Sequence, residues 1–351
     1  FLELLSPDDI EVIAAQVQME MMEAGYAAQA EFHYLHHAPG GKIYDQLDET
    51  SLRHFKAAEL TGIGYTHLPV LYMQGGLDGR PLEGGQTRFG CDLQQFSDLY
   101  ESLAARLGGM PDDFKLGVAP HSLRAVSSEG LELALSLSPI GPIHIHAAEQ
   151  IGEVREVVEI LGSRPVRWLL DHMPVDARWC LIHATQMEPE ETLALARIFD
   201  GHRFLGAGGM IGIGSDSNVR IGLTEELRML EVSQRLRDGK RSILTDDQTL
   251  SNGRYLYERA ARGSARALGR NAGRIEVGAL ADFIALDLNS PVLGALREDA
   301  ILDAWIFAGT DDIVTHVWSA GRHMVRDGAH VNRHEIQAAY SELNVRLRGR
   351  L

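Results

Sequence analysis

Apolar residues recur along residues 1–272 with two spacings, one typical of strands and the other typical of helices. Short apolar runs with the spacing of strands are separated by longer amphipathic stretches. The predicted strands are residues 30–34, 64–71, 115–120, 142–146, 179–183 and 210–214, and the predicted helices are residues 7–24, 50–61, 96–107, 153–161 and 189–199. Alternation of this kind is typical of βαβ units, so we predict a parallel sheet covered by helices.

Polar side chains stand at the carboxyl ends of several predicted strands. His121, His146 and His183 each end or follow a strand, and Asp216 follows the last one. This is the pattern of a (β/α)8 barrel, whose active site is assembled at the C-terminal face. A doubly wound sheet would instead be expected to show a glycine-rich turn after its first strand, and none is visible. We therefore predict an α/β fold, a (β/α)8 TIM-type barrel.

The pattern changes at about Gly273, where short strands and tight turns replace the strand and helix alternation. Residues 273–287, 313–319 and 322–328 have the spacing of β-strands, and the residues after His330 are predicted to form a helix. We predict a barrel over residues 1–272, a small flanking β-domain over 273–330 and a C-terminal helix over 331–351. The sequence begins at Phe1 without an initiator Met, so we expect an N-terminal part of the barrel to be missing.

Composition and charge narrow the class of protein. The chain has 351 residues, a formal net charge of −16 and 45% hydrophobic residues, which is typical of a soluble enzyme and unfavourable for binding nucleic acid or an anionic membrane. Cys91 and Cys180 lie far apart, so neither a disulfide framework nor a cysteine zinc site is expected. No apolar run reaches the roughly 18 residues that span a bilayer. We expect a cytoplasmic protein with a small-molecule substrate.

The candidate chemistry centres on the predicted strand that ends at His146. His144 and His146 point to the same face, but only His146 lies near the strand end, so we expect His144 to be a core residue. Glu149 follows in the loop, where it could lie over a metal held by His146, although a lone loop acid is often only solvated. With His183 and Asp216 at equivalent places, these residues could bind a metal and transfer protons.

A second group of residues could bind substrate. His121 and Arg124 follow another strand and could clamp a carboxylate, although a surface Arg is the simpler alternative. Tyr34 is a plausible pocket residue. The histidine-rich segment 31–37 does not match the spacing of helical metal ligands, so we interpret His36 and His37 as loop histidines.

These residues, taken together, resemble the amidohydrolase superfamily. The deaminase branch is indicated by Glu149, three residues after the His of the fifth strand, and by the absence of an obvious bridging Lys. Within that branch the sequence is most similar to the formimidoylglutamate deiminase family. The supporting segments are Glu31 to Tyr34, Leu68 to Tyr72, His121 to Val126, Pro142 to Gln150, Arg178 to Thr185, Gly214 to Asp216, Gln234 to Asp238, Gly273 to Asp287, Trp305 to Gly309 and Ala320 to Arg322.

The resemblance implies hydrolytic deamination of N-formimino-L-glutamate to N-formyl-L-glutamate and ammonia, as in histidine degradation. It implies one zinc or other divalent metal ion per subunit, held by His146, Asp216 and a His-x-His pair upstream of Phe1. His183 would orient the attacking water, Asp216 would take its proton, and Glu149 would give a proton to the leaving nitrogen. His121, Arg124 and Tyr34 would bind the substrate. We also expect a homo-oligomer, a dimer.

One further departure from the family lies between Arg197 and Gly208. This interval is too short for a seventh barrel strand and its loop, so we expect a further segment to belong there.

Two other functions stay open. A deaminase for a purine, pyrimidine or adenosyl-type substrate would use the same metal residues with aromatic stacking groups, and a metal-free barrel could act as a binding scaffold.

Overall fold

Parallel strands follow one another in chain order in the computed structural model, which describes residues 2–187 and 200–350. The strands are β1 (Ala28–His33), β2 (Gly64–Leu71), β3 (Lys115–Leu116), β4 (Ala119–Pro120), β5 (Ile143–Ala147) and β6 (Trp179–His183). β2 pairs with β1 on one side and with β3 and β4 on the other, and β5 pairs with β6. A bridge between Val118 and Ile143 joins β4 to β5. Strand neighbours that follow chain order are expected for consecutive βα units, and five of the six predicted strands are confirmed.

Helices separate these strands and continue after them. They are α1 (Pro7–Glu23), α2 (Glu49–Thr61), α3 (Leu93–Leu107), α4 (Ser128–Leu137), α5 (Ile151–Leu161), α6 (Pro165–His172), α7 (Gly201–Gly206), α8 (Leu223–Asp238), α9 (Asn252–Ala267), α10 (Asp299–Ala308) and α11 (Arg333–Arg348). Side-chain caps fix several starts: Ser6 accepts from the amide of Asp9 at α1, and Asp92 accepts from Gln95 at α3. The first four predicted helices are confirmed, whereas the predicted helix 189–199 lies outside the described residues.

The two faces of the parallel sheet pack differently. All eight residues of β2 are buried, as expected for a strand covered on both faces. One face carries Leu68 and Val70, which pack with Phe32, Tyr34 and other residues of one small cluster. The other face carries Tyr65 and His67, which pack against Phe55 of α2. Alternate residues of β2 therefore point either toward this small cluster or toward α2.

A second sheet is antiparallel and lies in the last third of the chain. Its strands are β7 (Phe283–Leu286), β8 (Val314–Ser319), β9 (Arg322–Arg326) and β10 (Ala329–His330), in the order β10-β9-β8-β7. The extended conformation predicted for residues 273–287 is a strand only at 283–286. The same part of the chain also contains α10, whose Trp305 and Ile306 enter the main hydrophobic core beside Tyr255 and Leu227. The predicted C-terminal helix is present as α11.

The sixth predicted strand is wrong. Residues 210–214 form no strand, although the structure describes them; they lie against α9 instead. A Cβ atom added to Gly263 of α9 would lie 1.9 Å from the Ile211 carbonyl oxygen, so only glycine allows this approach. The amide of Ile213 also donates to Ser264 Oγ at 3.3 Å. Residues 210–214 are therefore held by packing on α9 and not by the strand hydrogen bonds that we predicted.

In the described ranges, no helix is both long and apolar enough to cross a membrane.

Candidate active site

Three histidines meet at the carboxyl ends of β4, β5 and β6. His121 follows β4, His146 lies in β5 and His183 ends β6. The ring centroids of His121 and His146 are 4.8 Å apart, and those of His146 and His183 are 5.3 Å apart. The structure therefore brings together the three histidines that the sequence pattern singled out.

His146 is held in one orientation by the strand beside it. Its amide donates to the carbonyl oxygen of His121 at 2.9 Å, and its ring Nδ1 lies 3.1 Å from the same oxygen. Since a carbonyl oxygen can only accept, Nδ1 carries the proton and Nε2 keeps its lone pair. Phe32 packs edge-on against this ring, with centroids 4.6 Å apart. His146 thus presents Nε2 to the cluster, as a metal-binding histidine does when a carbonyl fixes its other nitrogen.

Glu149 and Asp216 bring negative charge to the same place. Burial lowers the pKa of His146 and the neighbouring His183 lowers it further, whereas the carboxylates of Glu149 and Asp216 act in the opposite direction. Burial also raises the pKa of Tyr34, as do Tyr72, Asp216 and Glu149. Both carboxylates therefore act electrostatically on the ring of His146 and on the phenol of Tyr34.

The backbone beside these residues is strained. Ala148, His183, Ala184 and Asp216 have φ of 52°, 64°, 51° and 50°, in the left-handed region that favours glycine. Such conformations cost on the order of 1–3 kcal/mol each and concentrate at active sites. The loop after β5 is held by Glu153, whose carboxylate accepts from the amides of Ala148 at 3.0 Å and Glu149 at 2.8 Å.

His121 and Arg124 border the cluster together with an aromatic wall. The ring of His121 packs against Tyr72 at 4.6 Å and Tyr34 at 5.6 Å, and Phe89 lies 5.3 Å from Tyr34. Burial, together with His146 and Arg124, lowers the pKa of His121 to about 3, so this ring is neutral at pH 7. The Nε of Arg124 is buried and has no hydrogen-bond partner among the residues that the structure describes. A buried unpaired guanidinium nitrogen is costly, which favours an anionic ligand at this position.

Three further histidines that the sequence singled out, His144, His36 and His37, have structural partners. His144, which we predicted to be a core residue, is buried, and its Nε2 lies 2.8 Å from the Ala267 carbonyl oxygen. His36 and His37 follow β1, as expected for loop histidines, but both are buried. Their Nε2 atoms lie 2.8 Å from the Val70 oxygen and 2.6 Å from the Gly90 oxygen.

Sequence reasoning missed one group of possible metal ligands. We rejected segment 31–37 as a metal site, but the structure places Glu31 and His33 beside His54 of α2, with one donor atom of each within 4.8 Å of the others. His54 is not in that segment, so the spacing of residues in the sequence could not reveal this group. It lies on the helix side of β1, opposite Phe32, and is separate from the histidines at the strand ends.

The site has the donors that a divalent metal requires. His146 offers a free Nε2, the ring of His183 lies 5.3 Å from its ring, and the carboxylates of Glu149 and Asp216 act electrostatically on it. Histidine and carboxylate donors near an acid or base are typical of catalytic zinc sites.

Comparison with known proteins agrees with this arrangement. The profile of the amidohydrolase family matches residues 1–324. The formimidoylglutamate deiminase of Pseudomonas aeruginosa is 43% identical over 97% of this chain and 79% of its own length. The crystal structure of an amidohydrolase from Brucella melitensis superposes with a TM-score of 0.91 at 41% identity, over 97% of this chain and 79% of that one.

A more distant structure shares the fold. It is an adenosine deaminase from Xanthomonas campestris with bound zinc, which has a TM-score of 0.79 at 19% identity and covers 99% of this chain and 77% of its own. The match over most of the chain shows that this chain belongs to the amidohydrolase family.

Proposed function

We propose that the protein is a metal-dependent deiminase that hydrolyses N-formimino-L-glutamate to N-formyl-L-glutamate and ammonia. The observation that carries this proposal is the buried, unpaired Nε of Arg124, whose charge acts on His121, the ring that stacks on His146. It provides a positive charge for a substrate carboxylate next to the residues suited to hydrolysis. The identity to the Pseudomonas aeruginosa formimidoylglutamate deiminase supports the same substrate.

The proposal includes a closed (β/α)8 barrel with a flanking β-domain. β1 to β6 would form part of such a barrel, and β7 to β10, which form a separate antiparallel sheet, would belong to the flanking domain. We place the barrel in residues 1–272, the flanking domain in 273–330 and the C-terminal helix in 331–351. The TM-score of 0.91 with the Brucella amidohydrolase supports this architecture.

His146 and Asp216 would be the metal ligands of this chain, and zinc is the metal we expect. The Nε2 of His146 is available because its Nδ1 is bound to the His121 carbonyl oxygen. Two ligands are fewer than a zinc site uses, so the proposal includes the His-x-His pair that the family resemblance places upstream of Phe1. When bound, the ion supplies the lowered water pKa that makes a nucleophile available at neutral pH.

Side chains of this chain would carry out the proton transfers and bind the substrate. Asp216 accepts the proton of the attacking water, and His183 orients that water toward the formimino carbon. Attack gives a tetrahedral adduct, from which Glu149 protonates the leaving nitrogen so that ammonia departs. Arg124 and the neutral His121 hold the glutamate carboxylates, and Tyr34 lines the pocket.

A deaminase for a purine or adenosyl-type substrate is the second candidate, and a specific observation favours it. Tyr34, Tyr72 and Phe89 form an aromatic wall that could stack against a base. However, such a substrate leaves the guanidinium of Arg124 without a counter-charge. The unpaired Nε therefore favours the dianionic formiminoglutamate.

Ammonia release tests the proposal directly. Protein expressed from its complete gene should release ammonia from N-formimino-L-glutamate and much less from adenosine or 5′-deoxyadenosine. Asp216→Ala should lose both activity and bound metal, because it removes one ligand. Efficient turnover of a nucleoside with none of formiminoglutamate would refute the substrate, and full metal occupancy in Asp216→Ala would refute that ligand.

A further inference from the structure

A second set of metal-ligand side chains lies between β1 and α2. Glu31 and His33 lie on β1 and His54 lies on α2, with donor atoms within 4.8 Å of one another. Phe32, between the two β1 residues, points the other way and packs on His146. Successive strand residues face opposite sides of a sheet, so this group is on the helix side. Within this group the rings of His33 and His54 lie 4.8 Å apart.

One nitrogen of this group lacks a hydrogen-bond partner among the residues described, whereas Glu31 accepts a long hydrogen bond of 3.5 Å from the side-chain amide of Gln29. The Nδ1 of His54 is buried and has no hydrogen-bond partner within residues 2–187 and 200–350. It lies 3.8 Å from Glu31 Oε2, which is too long for a hydrogen bond. In a tetrahedral site with bonds of about 2.0–2.1 Å, two donors lie roughly 3.3 Å apart, so a small side-chain movement brings both onto one ion.

The hydrogen bond of His33 leaves its other ring nitrogen available. Its Nε2 lies 3.0 Å from Thr50 Oγ1, so when Nε2–H donates to that hydroxyl, Nδ1 keeps a lone pair. A metal-binding histidine is normally fixed in this way through its second nitrogen. The nearby His67 differs, because its Nε2 and Nδ1 lie 3.0 Å from Ser51 Oγ and Tyr65 Oη. His67 is therefore not a further ligand.

The three donors also face open space. Glu31, His33 and His54 line a cavity of about 420 Å³, whose other walls come from apolar residues of α1 and the N-terminal segment and from residues on the side of the candidate active site, among them Phe32, Tyr34 and Asn218. This volume has room for one or more water molecules to complete the coordination of an ion. Two imidazoles and one carboxylate suit zinc, cobalt or nickel, whereas Mg²⁺ and Ca²⁺ prefer oxygen ligands.

We propose that Glu31, His33 and His54 form a second transition-metal site, separate from the candidate active site, that fastens β1 to α2. The ion would bridge a strand and a helix and would fix the end of β1. That end carries Phe32 against His146 and leads to Tyr34 beside His121. The site would be structural, and it does not depend on the proposed deiminase activity.

Metal content and thermal unfolding test this proposal. The parent protein, expressed from its complete gene and freed of loose metal, should bind about two zinc ions per chain if each site holds one. His54→Leu and Glu31→Gln should each lose about one equivalent, and Asp216→Ala should lose the other. His334→Gln, which removes an exposed histidine of α11, is the control and should keep the parent's metal content. Because zinc that binds only the folded protein stabilises it, a chelator should lower the Tm of Asp216→Ala, which keeps only the second site, and should leave the Tm of the double variant Asp216→Ala/His54→Leu unchanged.

The variants separate the two proposals. If His54→Leu and Glu31→Gln both keep the parent's metal content and chelator response, the second site does not exist. If Asp216→Ala keeps its full metal content while His54→Leu loses one equivalent, the second site stands and the catalytic ligand assignment fails. Should His54→Leu be insoluble, Glu31→Gln decides, because the side chain of Glu31 is 29% exposed and its replacement is conservative.

Discussion

Single atoms decide what each residue of the candidate site can bind. His146 uses Nδ1 to contact the His121 carbonyl oxygen, so Nε2 is its only free nitrogen. The Nε of Arg124 is buried without a partner in the described part of the chain, so its charge is available to a ligand. The carboxylate of Glu149 accepts a hydrogen bond from Gln150 at 3.1 Å and acts electrostatically on His146. We expect the metal, the substrate and the proton donor to meet at these atoms.

Replacing Glu149 should separate proton transfer from metal binding. Glu149→Gln keeps the size of the side chain but cannot give up a proton, so kcat should fall by roughly 10²-fold or more. The metal content should stay at the parent level, because Glu149 is not among the proposed ligands. Glu159→Gln, an exposed change on α5, is the matched control. Turnover close to that of the parent would mean that Glu149 is only a loop acid.

Replacing Arg124 should affect only substrates with carboxylates. Hydrogen bonds to charged groups contribute about 1.5–3 kcal/mol, so Arg124→Met should lower kcat/KM for N-formimino-L-glutamate by about 10- to 100-fold. A neutral formamidine should be a poor substrate for the parent and should lose little more in the variant. Steady-state assays with both compounds check this, with the exposed Arg155→Met as control. Equal losses on both compounds would show that Arg124 supports the structure instead.

At the scale of elements, the sequence predicts the parts of the site that depend on local pattern. The strands that carry His121, His146 and His183 follow from apolar spacing, and so does the convergence of their ends. The segment before Asp216 could not be predicted in the same way. It depends on the close contact between Gly263 and Ile211, which a helix and a distant segment create only after packing. The meeting of Glu31 and His33 with His54 likewise requires β1 and α2 to be packed together.

The turn between β5 and α5 depends on Glu153 of α5, which is not itself a proposed catalytic residue. Glu153 is buried, and its carboxylate accepts hydrogen bonds from the amides of Ala148 and Glu149. These two hydrogen bonds hold the strained turn that carries Glu149. Glu153→Ala leaves these buried amides without an acceptor, which should cost about 1–3 kcal/mol in the free energy of unfolding. It should also lower kcat, because the position of Glu149 is no longer fixed. Urea denaturation and steady-state kinetics measure the two effects.

The kinetic effect has its own control. Glu159→Gln on the same helix should change neither quantity, since that residue is exposed. A Glu153→Ala protein that is destabilised but keeps the parent's kcat would show that Glu149 does not depend on this turn.

At the scale of the whole molecule, a buried group of charges joins the two sheets. Asp113, just before β3, lies 3.2 Å from Arg270 after α9 and also pairs with Arg322 of β9 at 2.5 Å. Arg270 pairs as well with Asp282, which precedes β7, at 3.3 Å. The side chains of Arg270 and Asp113 are only 1% and 4% exposed. Two acidic and two basic side chains therefore connect the parallel sheet with the antiparallel one in a protein whose net charge is −16.

Removing the charge of Asp113 should destabilise the fold in a pH-dependent way. Asp113→Asn leaves Arg270 buried with less counter-charge, and breaking a buried pair typically costs about 3–5 kcal/mol. Burial alone would raise the pKa of Asp113, but the hydrogen bonds and charges of Arg322 and Arg270 outweigh it, so the pKa lies below the ordinary 3.8. A lowered pKa means that the charged form stabilises the fold above about pH 4 and that this stabilisation is lost as the pH falls through the folded-state pKa. In urea denaturation, the difference between parent and variant should be large at pH 7 and should shrink below about pH 4.

Asp171→Asn, which breaks an exposed pair with Arg167, should cost less than about 1 kcal/mol at pH 7. Equal losses from the two substitutions at pH 7 would mean that the buried group does not hold the sheets together.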